Sequence, residues 1–239
     1  MLQIQNLTKK FGNKIALDNV SFSLGAGEVF CLIGPNGSGK TTLVKNVGGL
    51  LQPTAGSVSV GGFDAVKNPE EAKSLIGYIP DEPTVWSSIT GGEFLQIVGA
   101  LYGVSPKEQQ ERVPHLLALF GLQGIEDDYF EDYSRGNKQK FSILAAFLHR
   151  PKLLLVDEPI VGLDPTSAEI AKTEFKKFAQ NGGAVLMVTH TLSVAQDIAG
   201  RIGFLENGRL KTVGTLGELR QKAKLPETSS LEEIYKALV

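Results

Sequence analysis

The sequence predicts an α/β protein: a mainly parallel sheet, a smaller antiparallel sheet formed by the first strands, and a helical insertion midway along the chain. Three observations predict it. The apolar run Val29-Phe30-Cys31-Leu32-Ile33 leads into the glycine-rich turn Gly34-Pro35-Asn36-Gly37-Ser38-Gly39-Lys40-Thr41-Thr42 and then into residues 43–47, which can continue as a helix. Residues 152–157 and 184–189 are further, nearly continuous apolar runs, the pattern of strands buried on both faces of a parallel sheet. Residues 91–150 carry apolar side chains at helical spacing and show no strand pattern.

At the N-terminal end, residues 2–7 and 20–24 are strand-like, with turn chemistry at Phe11-Gly12-Asn13 and Gly25-Ala26-Gly27, so an antiparallel sheet is expected first. Phe11 falls in a turn, where its ring has two readings: a platform for a base, or an ordinary loop anchor. The turn at 34–42 fills every position of G-x-x-x-x-G-K-T. Strand, glycine turn and helix start together let successive backbone N–H groups converge on phosphate oxygens, with the helix dipole adding its positive end. Lys40 can reach the outer phosphates, and the Thr41 hydroxyl is a hard oxygen suited to Mg²⁺. A nucleoside triphosphate is therefore the expected ligand.

A short glycine-bounded strand is expected at 56–62 and another at 74–80, which ends at Pro80 and runs into Asp81-Glu82-Pro83. Acids at a strand's carboxyl end are placed for ligand contact, or form a solvated turn. Trp86, the only tryptophan, is either a loop anchor or an aromatic contact for a partner. In the helical stretch, Ser105-Pro106-Lys107-Glu108 is a helix start with its cap. Ser134 is a second N-cap, in Tyr133-Ser134-Arg135-Gly136-Asn137. Gly136 lowers helix propensity there and implies close approach of another group. Arg135, Lys138 and Lys140 are cations set against the dipole preference of a helix start, an arrangement that suits an anionic ligand.

The run 152–157 ends in Asp157-Glu158-Pro159, so its carboxylates are expected to emerge beside the phosphate loop. Asp157 can hold Mg²⁺ and Glu158 can polarise an attacking water. Val161-Gly162-Leu163-Asp164-Pro165 turns the chain into a helix over 166–180, and His190 closes the strand 184–189, placed to donate to a γ-phosphate. His115 and His149 are expected at the surface or at helix ends. Asn207-Gly208 supplies a hairpin turn, and the tail from Thr215 is charged and helical.

Composition narrows the alternatives. The chain has 239 residues, 42% hydrophobic and 21% charged, with a formal net charge of −2, so charge gives no reason to expect nucleic acid. Cys31, the single cysteine, rules out an intrachain disulfide or a cysteine metal cluster and reads as a packing residue. The first residues lack a secretory pattern, and no apolar run reaches the eighteen or so residues that cross a bilayer. The expected location is the cytoplasm, peripheral to a membrane only through another chain.

In this order and spacing, the phosphate loop, Ser134-Arg135-Gly136, Asp157-Glu158, Asp164 and His190 resemble the ATP-binding subunit of an ABC transporter. That resemblance implies a P-loop NTPase (RecA-like) core. The expected division is a β subdomain with ATP-binding core at 1–84 and 151–214, a helical signature subdomain at 85–150, and a helical tail at 215–239. It also implies that Phe11 stacks on adenine, that 34–42 is the Walker A motif and 153–158 Walker B, that Asp164 lies in the D-loop and that His190 is the switch histidine. Residues 133–137 fall on the signature L-S-G-G-Q, of which Ser134 and Gly136 remain while Tyr133, Arg135 and Asn137 depart. This form looks like that of subunits paired with ABC-2-type membrane proteins, many of them exporters. Asp81 stands where the family usually has the Q-loop glutamine, and could meet Mg²⁺ through a water.

By the same resemblance, ATP is sandwiched in a head-to-tail dimer between one subunit's Walker A loop and the other's Ser134 and Gly136, and a separate integral membrane permease is driven. Two other readings are a soluble ABC ATPase acting on ribosomes or nucleic acid, and a non-hydrolysing member of a heterodimer. One phosphate loop without heptads speaks against the first, and the presence of Glu158 and His190 against the second.

Overall fold

The computed structural model describes residues 1–83 and 87–239. Trp86, expected as a loop anchor or a partner contact, lies outside the described residues. Strands β1 (Leu2–Phe11) and β2 (Lys14–Leu24) form a long hairpin, and β3 (Val29–Ile33) feeds the glycine turn and helix α1 (Lys40–Val47). Then come β4 (Ala55–Val60), β5 (Phe63–Asp64), α2 (Pro69–Ser74) and β6 (Ile76–Ile79). The helical stretch holds α3 (Gly91–Leu101), α4 (Pro106–Leu119) and α5 (Arg135–Leu148). The chain returns through β7 (Leu153–Asp157), α6 (Pro165–Gln180), β8 (Ala184–Thr189), α7 (Leu192–Ile198), β9 (Arg201–Glu206) and β10 (Arg209–Gly214). Helices α8 (Leu216–Ala223) and α9 (Leu231–Leu238) follow.

The expected antiparallel sheet is present, in the order β2-β1-β4-β5. The larger sheet runs β10-β9-β3-β8-β7-β6, parallel throughout except for the β9-β10 hairpin. Its central strands β3, β7 and β8 are buried at every position, which is why their sequences do not alternate. One core fills the space between the two sheets around α1, with Leu2, Ile4, Leu43, Val47 and Leu155 fully or almost fully buried. The other lies on the opposite face of the large sheet, where Cys31, Val156 and Met187 meet Phe175 of α6 and Phe141 of α5. Burial also pushes the Cys31 thiol up to about 12, so it packs as the sequence suggests and is not reactive.

Several boundaries differ from the sequence reading. The first strand extends to Phe11, which pairs with Lys14 across the hairpin, so the aromatic ends a strand rather than sitting within a turn. The strand read at 74–80 is shorter, because Ser74 closes α2. Helices α2 and α7, of six and seven residues, are too short to show a helical period. The helix starts read from capping residues hold: Ser105 with Glu108 makes a reciprocal capping box, and Ser134 Oγ accepts from Asn137 N–H at 3.2 Å. Because β3, β6, β7 and β8 are parallel, the phosphate loop, Asp81, Asp157 and His190 all follow carboxyl ends on one edge of the sheet.

Candidate functional site

The glycine turn is shaped by its neighbours as much as by any ligand. A Cβ on Gly34 would stand 2.2 Å from the Leu205 carbonyl oxygen, and one on Gly39, at φ 110°, 2.5 Å from that of Ala16. No other side chain fits these positions without moving the backbone. The Lys40 ammonium folds back and donates to the carbonyls of Gly34 at 2.7 Å and Pro35 at 3.1 Å. Burial lowers its pKa, and the nearby Glu158 and Asp157 partly offset that. Inside the loop Ser38 Oγ is buried and has no hydrogen-bond partner. An orphaned hydroxyl among the amides at a helix start is the kind of donor a phosphate oxygen satisfies.

Asp157 and Glu158 end β7 beside this loop. Burial is the main reason that the Asp157 carboxyl is pushed up to about 6; a hydrogen bond from Thr41 opposes the rise, and Asp81 and Glu158 add to it. Thr41 and Asp157 thus set two hard oxygen donors side by side, a donor set that fits Mg²⁺ shared with phosphate. Glu158 takes left-handed backbone geometry, φ 49°, an uncommon conformation for glutamate. Its Oε2 accepts from Thr189 Oγ1 at 2.8 Å. Its Oε1 accepts from the His190 backbone N–H at 2.8 Å and from His190 Nδ1 at 2.7 Å. An ionised carboxylate only accepts, so Nδ1 carries the proton in this pair. With Nδ1 protonated, Nε2 of a neutral His190 is an acceptor; it can donate only from the imidazolium, or from the other tautomer once the pair with Glu158 opens.

The start of α5 touches two loops of its own chain. A Cβ on Gly136 would lie 2.8 Å from the Gly162 carbonyl oxygen, so the close approach read from the sequence is made by a neighbouring backbone. Arg135 Nη2 is 3.4 Å from Asp81 Oδ1, both side chains about half exposed. The Gln139 amide, buried one turn further on, donates to the Pro80 carbonyl at 3.2 Å while its Oε1 has no partner. Asp164 caps α6 through Ser167 N–H at 2.9 Å and pairs with Lys140 Nζ at 3.1 Å. Its two bonds with Ser167, followed by Lys140, hold its carboxyl far below the usual range. Tyr133 is buried, stacked on Phe141 with ring centroids 4.9 Å apart, and its hydroxyl donates to the Ile125 carbonyl. A packed aromatic thus replaces the leucine of the signature.

A cavity of about 580 Å³ joins these parts. It brings together Phe11, Asn36, Gly37, Gly39, Lys40, Thr41, Thr42, Asp81, Arg135, Asp157, Glu158 and His190 of the expected residues. Gly34, Pro35, Ser38, Ser134, Gly136 and Asp164 are not among its lining residues. Phe11 is 46% exposed at one end of it, with the Lys9 ammonium 5.1 Å from the ring centre. Sequence reasoning missed Lys14, Ile15, Ala16, Val161, Asn207 and Gly208, which also line it. The Asn207-Gly208 turn reads in the sequence as a hairpin alone, and Val161 as part of the turn into α6. His149, read as a surface or helix-end residue, caps α5 and is partly buried, its Nε2 3.0 Å from the Ile76 carbonyl.

The pattern that defines the ABC transporter family matches residues 17–161. The chain belongs to the ABC transporter family. A solved structure described as the ATP-binding subunit of an ABC transporter covers all of this chain, with a TM-score of 0.95 at 34% identity and 99% of that chain covered. The linearmycin resistance ATP-binding protein LnrL of Bacillus subtilis (strain 168) is 35% identical over 219 residues, 92% of this chain and 70% of the relative. A dimeric cassette, MJ0796, solved in a post-hydrolysis state with ADP and Pi, has a TM-score of 0.82 at 26% identity over 90% of this chain and 99% of that one. The chain is thus an ABC transporter ATP-binding subunit and an ATPase, and its fold is that of a P-loop NTPase cassette. Among the described residues no helix is long and apolar enough to cross a membrane.

Proposed function

We propose that this ABC cassette dimerises on ATP and hydrolyses it to drive a separate ABC-2-type permease working as an exporter, from the cytoplasmic face of the membrane. The observation that carries the hydrolytic part is the hydrogen-bonded set Thr189-Glu158-His190, of which Glu158 and His190 line the cavity with Lys40. The three bonds to Glu158 occupy three of about four lone-pair sites on a carboxylate. One site is left to orient and polarise a water. In-line attack on a γ-phosphate needs positioning and charge neutralisation more than covalent chemistry. Lys40 and the loop amides supply these at the phosphates and His190 does so opposite them. Thr41 and Asp157, with Asp81 through water, would hold Mg²⁺, which when bound neutralises charge on the phosphate oxygens.

Phe11 would stack on adenine, while Ser134 and Gly136, outside the chain's own cavity lining, would complete the site of a second subunit, with Asp164 at the interface. In this reading residues 1–239 are a single ABC ATPase domain made up of a β subdomain and core (1–84 and 151–214), a helical part (85–150) and a tail (215–239). The export direction is supported by the name of the resistance relative LnrL and by the departure of the signature from L-S-G-G-Q. Glu158→Gln keeps the size of the side chain and removes the base, so it is expected to trap an ATP-bound dimer. Size-exclusion runs with and without ATP test this, and an unshifted elution volume in the variant refutes it. Co-purification with a polytopic membrane protein in detergent tests the permease; recovery of ribosomal proteins instead supports action on the ribosome.

A further inference from the structure

A second cavity, of about 460 Å³, lies at the other edge of the large sheet. Lys152 and Gly183, which line it, immediately precede the parallel strands β7 and β8, so it opens at their amino ends and shares no lining residue with the nucleotide cavity. Three cations from separate segments meet there: Arg112 of α4, Arg150 just past α5 and Lys152. No carboxylate is among the lining residues. Arg112 Nη2 donates to the Phe147 carbonyl at 3.1 Å; a guanidinium has five N–H groups, so this bond fixes it without exhausting it. Burial lowers the Arg112 pKa and the charge of Arg150 lowers it further, against a smaller pull from Glu108. Arg150 follows the C-cap of α5 at φ 54°, a position usually given to glycine.

Helix ends do not account for these charges. Helices α5 and α6 both end at this cavity, and two helix C-termini carry about one negative charge between them. Glu108 acts on both arginines, but its carboxylate is bound into the α4 cap, accepting from Ser105 N–H at 3.0 Å and from Ser105 Oγ at 2.8 Å. The three cations exceed the negative charge set against them. Beside them the rings of Phe147 and Phe178 meet edge to face, with centroids 5.7 Å apart. A Cβ on Gly183 would collide with the Phe178 ring, so the glycine is what lets that ring lie along the wall.

We propose that this cavity is a ligand site separate from the ATP site, for a small soluble phosphate monoester with an aromatic or apolar body. Arg112, Arg150 and Lys152 hold the phosphate, and Phe147 and Phe178 hold the body. The planar fork of a guanidinium matches phosphate oxygens in pairs, and lysine adds a point charge. The volume lies in the range of small-molecule sites, which combine an apolar wall with a few convergent polar groups. A concave site with an aromatic wall suits a compact soluble ester better than a lipid headgroup, whose apolar chains stay in the bilayer.

The test titrates the isotope-labelled full chain with phenyl phosphate and with inorganic phosphate at constant ionic strength, following backbone amide shifts by NMR. Gly182 and Gly183 report on this cavity and Gly37 and Gly39 on the phosphate loop, so the two sites are read apart. Millimolar phenyl phosphate should give saturable shifts at Gly182 and Gly183, and should bind about three- to ten-fold more tightly there than inorganic phosphate, the scale of an aromatic contact. Arg150→Gln combined with Lys152→Gln should weaken both ligands about ten-fold, the scale of two partly exposed charged contacts. Both side chains are exposed, and circular dichroism melts check that the variant is folded. Phe178→Leu should remove most of the preference for the phenyl ester and leave inorganic phosphate binding unchanged. Shifts confined to Gly37 and Gly39, no saturation at Gly182 and Gly183, or equal affinity in the folded double variant would overturn the proposal. Sedimentation of the chain with phosphatidylcholine vesicles containing phosphatidylglycerol, if the double variant abolishes it, would give the cations to a lipid headgroup and overturn the assignment to a soluble ester.

Discussion

Replacing Asp157 by asparagine should make the nucleotide-free protein more stable while removing a carboxylate that Mg²⁺ needs. The carboxyl is 3% exposed and its pKa rises from 3.8 to about 6, with burial as the leading cause. At 1.36 kcal/mol per pH unit, holding it ionised at pH 7 costs the folded state about 3 kcal/mol. The sign follows from proton counts. Between pH 3.8 and about 6 the folded chain binds more protons at this group than the unfolded one, so its penalty grows as pH rises through that window and is fully present above it. Near pH 5 about half of it remains. Asparagine carries no charge but must still satisfy a buried amide, which returns about 1 kcal/mol of the gain. A net gain of about 1 to 2 kcal/mol corresponds to a Tm higher by roughly 2 to 8 °C for a chain of this size. Thermal melts in EDTA at pH 7.5 and pH 5 measure it. With Mg²⁺ and ATP present the order should reverse, because ligand stabilisation of wild type exceeds that of the variant. A variant less stable than wild type in EDTA at pH 7.5, or a difference that does not shrink at pH 5, would refute the reasoning.

Phe11→Ala should weaken ATP and ADP alike by roughly five-fold, the scale of about 1 kcal/mol for one aromatic stack. Inorganic tripolyphosphate binding should not change; a matching loss there would remove the base-stacking role. Tyr133→Phe should cost about 1 kcal/mol by leaving the Ile125 carbonyl without its donor. Tyr133→Ala should cost about 3 to 5 kcal/mol through the cavity beside Phe141, and equal urea midpoints for the two variants would contradict this. Burial, foremost, and the nearby Arg112 lower the pKa of His149. Its contribution is therefore intact above about pH 6.5 and is lost as acidification protonates the unfolded chain first. His149→Gln should flatten the fall in urea midpoint between pH 7.5 and pH 5.5, and parallel slopes for variant and wild type would exclude the histidine as its source.

The parts legible in the sequence were those fixed by local rules. The phosphate loop could be read because only a strand, a glycine turn and a helix start explain its residues together, and β7 and β8 because strands buried on both faces cannot hide their apolar runs. Caps at Ser105 and Ser134 followed from side chains that reach only three residues ahead. Features set by distant segments were not legible. The wall of the cavity at Ala16 and Gly208 comes from two hairpins far apart in sequence, where a Cβ on Gly208 would meet the Ala16 carbonyl oxygen at 2.7 Å. Gly136 was read correctly as a point of close approach, but its partner, Gly162, belongs to a loop after the next strand. The partners of Asp81 and Gln139 were hidden for the same reason.

The charged groups of the site are likewise held by partners distant in sequence. Lys40 rests on two carbonyls, Glu158 on His190, Asp81 on Arg135 and Asp164 on Lys140. Lys40, Glu158 and Asp81, which line the cavity, therefore each have an internal partner, as does Asp164 outside it. This avoids the cost of leaving buried charges uncompensated. If these side chains bind phosphate as proposed, they exchange partners to do so, while the unpartnered Ser38 hydroxyl gains one. The exchange is cheapest where the internal pair is exposed, at Asp81 and Arg135, and costliest at buried Lys40 and Glu158. Glu158 is held by three donors on the last residue of β8 and just beyond, which leaves the water-orienting role proposed for it to its remaining lone pair.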